Sequence, residues 1–252
     1  IARSLYHTGK LPWRDIMISG FVLAKKGEKI SKSKQNSAIS PERLIAENSA
    51  DTVRYWAANA RLGTDTFFSQ EELGASKRFL TKLWNASRFA LSRLEDIDLT
   101  AEARYYPADR WIMAKADETV LKVSALLNGY EIGMARHEID EFFWKDFCDN
   151  YIEIAKERLY LGAPEVGRPG AQRALYYALL TILKLYAPYV PHITEYIYQA
   201  FFRQYEKTAS IHKTLIPSPE APDAELLAFG ESMKSAISEV RKQKSERNLS
   251  MK

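Results

Sequence analysis

Apolar residues along the chain change their spacing near residue 64. Before that point the run DIMISGFVLA at residues 15–24 is nearly continuous, with β-branched and aromatic members, and it ends at Lys25-Lys26-Gly27-Glu28. That pattern predicts a strand entering a tight reversal. The segment KISKSKQNSA at residues 29–38 is polar and without period, which predicts a loop. Ser40-Pro41-Glu42 then supplies an N-cap, a proline at the first helical position and an acid near the positive helix end, so a short helix is expected to about residue 47. Ser49 is placed to cap a second helix over 50–62, closed by Gly63.

From residue 64 the period becomes helical and stays so. Ser69-Gln70-Glu71-Glu72 has the form of a capping box, and the run to residue 94 brings Leu73, Leu80, Leu83, Trp84, Ser87, Leu91 and Leu94 close to one face. A second long helix is expected over 111–127, stopped by Asn128-Gly129. A third, over 131–160, is dense in aromatics (Phe142, Phe143, Trp144, Phe147, Tyr151) and ends at Gly162 and Pro164. A fourth runs over 172–186, is broken by Pro188 and Pro191, and resumes over 193–205. Long antiparallel helices with short links form a bundle. Pro217-Ser218-Pro219 through Pro222 marks a linker, followed by one more amphipathic helix over 224–247. The expected fold is mainly α: a small α/β region over 1–63, an antiparallel helical bundle over 64–215, and over 216–252 a linker with the start of a further segment.

Composition agrees with a soluble globular chain, at 252 residues, 46% hydrophobic and 27% charged. The single cysteine, Cys148, excludes an internal disulfide framework and any site built from several thiolates. No window approaches the ~18 apolar residues of a membrane span, and the first residues lack the layout of a signal peptide, so the chain reads as cytosolic. It starts without Met and stops just after a charged helical pattern, which suggests a part of something longer. The net charge of +4 is unevenly spread. Residues 25–34 hold five Lys against one Glu, and residues 70–94 and 231–252 are each +3. Such segregation favours a local anionic partner, phosphate or nucleic acid, although charged helices are often merely solvated.

The loop carries the chemistry. Lys29 and Lys32 bracket Ile30 and Ser31, with Ser33 next, so two ammonium groups and two short hydroxyl donors can close on one polyanion while the loop stays free to move. That suits a triphosphate: attack on the α-phosphate expels pyrophosphate, whose growing charge mobile lysines can stabilise selectively. An isolated basic string would read as surface lysines, but this one has context. Lys29-Ile30-Ser31-Lys32-Ser33 resembles the K-M-S-K-S signature of class I aminoacyl-tRNA synthetases, with Ile30 in place of Met and Gln35 where that family commonly has Gly. Pro12-Trp13-Arg14-Asp15 before it, and Asn36, Pro41 and Ser49-Ala50-Asp51-Thr52-Val53-Arg54-Tyr55 after it, fit the same family. Lys82-Leu83-Trp84-Asn85-Ala86-Ser87-Arg88-Phe89, Arg61-Leu62-Gly63-Thr64-Asp65 and the 143–153 segment are similar to valyl-tRNA synthetases, and isoleucyl and leucyl enzymes match the first of these strings poorly.

The resemblance implies that residues 1–63 are a stem-contact region with the ATP loop and that 64–215 are an anticodon-binding bundle. It implies a parent enzyme that joins L-valine to ATP with loss of pyrophosphate and passes the valyl group to the terminal adenosine of the valine tRNA, as a cytoplasmic monomer using Mg2+ with its ATP. Lys29, Ser31, Lys32 and Ser33 take the catalytic positions, with Lys32 on the phosphates. Only His7-Thr8-Gly9-Lys10 comes near the family's His-x-Gly-His motif, and it reads as a turn, so the nucleotide fold is expected upstream and the chain alone is expected to be inactive. An isoleucyl-type fragment and a non-catalytic helical RNA-binding module are the alternatives.

On the helix over 70–94, Lys82, Asn85, Arg88 and Phe89 lie at spacings of three and four, away from Leu80, Leu83 and Leu91. A cation, an amide and an aromatic side by side can stack a splayed base and hold its phosphate; the alternative is that Phe89 is core and Arg88 solvated. His137, His192 and His212 have no metal-site spacing, and Cys148, Trp144, Phe147 and Tyr151 read as bundle core. No metal site is expected on the chain.

Overall fold

The computed structural model describes residues 1–25, 28–30, 40–161 and 167–247. Among the described residues the chain is mainly helical, with one small sheet near its start. Helix α1 (Ala2–Thr8) buries none of its residues and stops at Gly9, whose φ of +66° is the left-handed conformation glycine tolerates best. The expected turn at residues 7–10 is thus the end of this helix. Of the apolar run over 15–24, only Val22–Lys25 forms a strand, β1. It pairs antiparallel with β2 (Glu28–Lys29) and parallel with β3 (Thr66–Phe67), placing Leu23 beside both Lys29 and Phe67. Residues 16–18 and 21 stay exposed because the ladder partners reach only the end of the run. Gly20 packs so tightly on the Thr64 carbonyl that any side chain there would collide with it.

Serine caps set the next helices as their sequence predicts. Ser40 accepts a hydrogen bond from the Arg43 amide at the start of α2 (Pro41–Asn48), and Ser49 accepts from the Thr52 amide at the start of α3 (Ala50–Ala57). Helix α3 stops at Ala57 rather than 62. The carbonyls of Ala58 and Ala60 instead meet Gly133, each 3.3 Å from where its Cβ would stand, so a continued helix would lose this close approach. Ser69 caps α4 (Gln70–Ser92), but its expected reciprocal partner is engaged elsewhere: the Glu72 carboxylate accepts from the Trp56 indole at 3.2 Å.

Helix α5 (Pro107–Asn128) begins four residues before the apolar pattern suggests, with Pro107 in its first turn and Asp109 accepting from the Tyr106 amide at 2.8 Å. The aromatic-rich third helix is continuous but not uniform. Between α6 (Ile132–Glu141) and α7 (Ile152–Leu161), residues Phe142–Tyr151 take the wider i to i+5 pattern. That spacing lets Phe142, Phe147 and Tyr151 share the inward side, where all three are buried. After α8 (Arg168–Tyr186) the chain breaks and resumes as α9 (Pro191–Ile197), a second wide segment (Tyr198–Phe202) and α10 (Arg203–Glu206).

The core is a single aromatic-rich cluster in which α5 packs against α6, α8 and the wide segment after α6. Phe79 of α4 stacks on Tyr55 of α3 at 3.9 Å and touches Tyr186 and Phe143, so the bundle core continues into the sheet-bearing region. The last helix, α11 (Ala224–Glu246), lies along α5, where Gly230 meets the Trp111 indole and Lys234 reaches Asp146 at 2.7 Å.

Candidate nucleic-acid interface

Two groups of expected site residues fall in different parts of the fold. Lys29, expected in a loop, sits instead on β2, and its ammonium lies 3.3 Å from the centre of the Phe21 ring, a cation–π contact at the start of the signature motif. Ser31, Lys32 and Ser33 lie outside the described residues.

Past the loop, α3 clamps the bundle. The Asp51 carboxylate accepts from the His192 and Ile193 amides at 3.3 and 2.8 Å, and its Oδ1 is 2.8 Å from His192 Nδ1, so a side chain of α3 caps the N-terminus of α9. Three residues on, Arg54 donates to the carbonyls of Pro188 and Tyr189 at 2.7 and 3.2 Å. One helix therefore supplies an anion to the start of α9 and a cation to the carbonyls just after α8. Below it, the hydroxyls of Tyr55 and Tyr186 both donate to Asp140 at 2.7 Å, while Arg136 bridges Asp140 and Asn59 at 2.6 and 2.8 Å. Burial pushes the Asp140 carboxyl up, although Arg136 and the two tyrosines pull the other way. Replacing Asp51 with Ala should free the His192 and Ile193 amides. The loss of a cap, roughly 1–2 kcal/mol, corresponds to about 5- to 30-fold faster hydrogen exchange there, with α5 unaffected. Unchanged exchange at both amides would contradict the clamp.

On α4 the four expected residues separate. Lys82 lies 5.3 Å from the Trp144 ring, Asn85 is exposed, and Arg88 is exposed at the edge of a groove. Phe89 is half-buried against the core, with the Tyr160 ring at 6.4 Å and the Arg93 guanidinium at 5.5 Å. Trp84, expected on the apolar face, is instead 39% exposed and is the aromatic beside Arg88 in the groove. Its ring lies 5.6 Å from that of Tyr196 on α9. Sequence reasoning missed this pair because Trp84 lies one, four and seven residues from Leu83, Leu80 and Leu91 and so reads as part of the apolar face, and nothing local announces that α9 returns to α4.

The aromatic segment packs inward as its composition suggests. Phe147 and Tyr151 are fully buried, Trp144 is partly buried against the core, and Cys148 is a core residue whose thiol burial pushes up to about 12, far from nucleophilic range. Among the described residues no group of three or more His, Cys, Asp or Glu side chains could hold a metal ion, and no helix is long and apolar enough to cross a membrane.

Comparison with known proteins decides the family. Residues 109–252 match the anticodon-binding domain of tRNA ligase, and residues 1–69 match tRNA synthetases class I (I, L, M and V). The chain belongs to the tRNA ligase family. It is 40% identical over 252 residues to the valine--tRNA ligase of Anaplasma marginale (strain St. Maries), covering 99% of this chain and 30% of that protein. The Ehrlichia canis (strain Jake) valine--tRNA ligase is 40% identical over 262 residues, covering 100% and 32%. That of Haloarcula marismortui is 39% identical over 250 residues, covering 99% and 27%. The chain thus spans about 30% of the length of the curated relatives it matches. Among solved structures, the crystal structure of the ternary complex of Agrobacterium radiobacter K84 agnB2 LeuRS, tRNA and LeuAMS aligns with a TM-score of 0.55 at 18% identity, over 83% of this chain and 24% of that one. At that identity the likeness concerns the fold. In this tRNA ligase chain the first matched region holds the hairpin, α2 and α3, and the second begins in α5 and takes in α11. Helix α4, with Lys82, Asn85, Arg88 and Phe89, lies between them.

Proposed function

We propose that the chain is the signature-loop and anticodon-binding part of a valine-tRNA ligase. The observation that carries this reading is identity of about 40% with valine--tRNA ligases along 99% of the chain, which favours valine over the isoleucyl alternative. In the complete protein a carboxylate oxygen of L-valine attacks the α-phosphorus of ATP, the bond to pyrophosphate breaks, and the valyl group then passes to the terminal adenosine of the valine tRNA. Residues 1–63 supply the phosphate-binding loop, 64–215 the surface that meets the anticodon, and 216–252 the passage to a further segment.

Lys32 stabilises charge on the departing pyrophosphate, Lys29 anchors the loop base on Phe21, and Ser31 and Ser33 donate to phosphate oxygens. Magnesium accompanies the ATP phosphates. The clamp of Asp51 and Arg54 joins α3 to the bundle, so tRNA seated on the bundle is registered against the part of the chain that carries the signature motif. On α4, Lys82 and Arg88 meet the RNA backbone, Asn85 hydrogen-bonds to it, and the exposed edge of Phe89 meets a base. The protein acts as a cytoplasmic monomer.

The backbone role is tested by titrating the chain with valine tRNA at a series of salt concentrations. Arg88→Ala should weaken binding and reduce the log–log salt slope by about one unit, as loss of a single phosphate contact does, and Arg88→Lys should restore the slope. A slope unchanged in Arg88→Ala would remove Arg88 from the interface.

A further inference from the structure

The groove between α4 and α9, with a volume of about 360 Å³, has the composition of a site for one flat ring. Two of its aromatic residues are left open to water: Trp84 is 39% and Tyr196 63% exposed, with their planes tilted by 53°. Leu91 and Phe201 add apolar surface between α4 and the wide segment after α9. Ser87, which lines the same groove, is 1% exposed, and its hydroxyl has no hydrogen-bond partner among the described residues. A buried hydroxyl without a partner costs stability, so its place in the groove lining points to a partner that arrives with a ligand. Arg88 and Glu95 stand on the rim.

These features select the chemistry of the occupant. An aliphatic side chain of a protein partner would cover the rings but leave the Ser87 hydroxyl unpaired and Arg88 without an anion. A nucleobase answers each feature at once: its faces stack on aromatic rings, its edge carries donors and acceptors, and its backbone brings phosphate to a helix that is +3 over residues 70–94. We propose that this groove holds one unpaired base of the bound RNA, stacked on Trp84 and Tyr196, with the Ser87 hydroxyl at its edge and Arg88 on the adjoining phosphate. Glu95 accepts from an exocyclic amine, which disfavours uracil. The inference rests on the reading that the chain binds tRNA, and it adds a base site distinct from the exposed edge of Phe89.

The test uses the chain itself and a short RNA carrying the anticodon stem-loop of valine tRNA, together with the same RNA made abasic at one loop position at a time. Trp84→Ala and Tyr196→Ala should each weaken binding by about 5- to 150-fold, the range for one stacked base, with the salt slope kept. Trp84→Phe should recover most of the affinity. At one loop position the abasic RNA should bind the unaltered chain and Trp84→Ala equally, because the base that Trp84 serves is gone. Ser87→Ala should weaken binding several-fold while the melting temperature holds or rises, which a packing role would not produce. If the unaltered chain binds the RNA but folded Trp84→Ala and Tyr196→Ala bind as well as it does, the groove is not a base site. If no loop position couples to Trp84, the proposal is equally overturned, and affinity of the groove for an apolar peptide would then identify a protein partner instead. If the unaltered chain binds no RNA at all, the tRNA-binding reading fails first and the groove with it.

Discussion

Replacing Asp109 with Ala should cost about 3–5 kcal/mol of folding stability, enough to bring the bundle to the edge of unfolding. The Asp109 side chain is fully buried and takes two hydrogen bonds from Arg158, at 2.6 and 2.7 Å, and one from the Tyr151 hydroxyl at 2.9 Å. It also accepts from the Tyr106 amide, so a single carboxylate caps α5 and ties it to α7 and the aromatic segment before it. Burial would pull the Arg158 guanidinium down, but the hydrogen bonds and charge of Asp109 outweigh it and hold Arg158 above its ordinary value. Among the described residues, the guanidinium without Asp109 keeps the Gly167 carbonyl at 3.3 Å as its acceptor. The loss is that of an uncompensated buried charge rather than of one contact. Urea denaturation followed by circular dichroism measures it, and Asp109→Asn, which keeps the volume but not the charge, should fall most of the way toward the Ala variant. A loss below about 1 kcal/mol would mean that Arg158 finds another partner or water.

Lys32→Ala in the complete ligase should lower the rate of valyl-adenylate formation by about 10²- to 10³-fold, the usual effect of removing one preorganised donor to developing charge. Valine binding should change far less, because the growing charge on pyrophosphate exists only along the reaction coordinate. Single-turnover adenylation separates the two quantities. An unchanged rate would take Lys32 out of the mechanism.

Local signals in the sequence are decisive where one residue settles a backbone question. Ser40, Ser49 and Ser69 cap the helices expected of them, and the break at Pro188 and Pro191 separates α8 from α9. Long-range pairings are not visible in the same way. Asp51 and Arg54 read as members of a short helix, yet their partners lie more than 130 residues away, at the junction of α8 and α9. The run over 15–24 has strand character throughout, but pairing with β3, some 40 residues later, admits only its last part. The wide helical segments arise where several aromatics must turn inward together, a demand set by the neighbouring helices rather than by residues 142–151 alone. For the site, the lysine string reads as a motif because its residue types are contiguous, while Ser31, Lys32 and Ser33 lie outside the described residues. The proposed groove on α4 is not visible in the sequence, since it needs Tyr196 from another helix to give Trp84 a neighbour.

Central to the proposed function is that the chain reads tRNA through the exposed side of α4 while α3 is fixed to the bundle at the junction of α8 and α9. The most direct measurement is competition between valine tRNA and the same tRNA with altered anticodon bases for the purified chain at fixed salt. The chain should prefer the unaltered anticodon, with a discrimination of roughly 1–3 kcal/mol for each base it stacks, and Phe89→Ala, if folded, should erode the preference while keeping the salt slope. Equal affinity for both tRNAs in the unaltered, folded chain would contradict it.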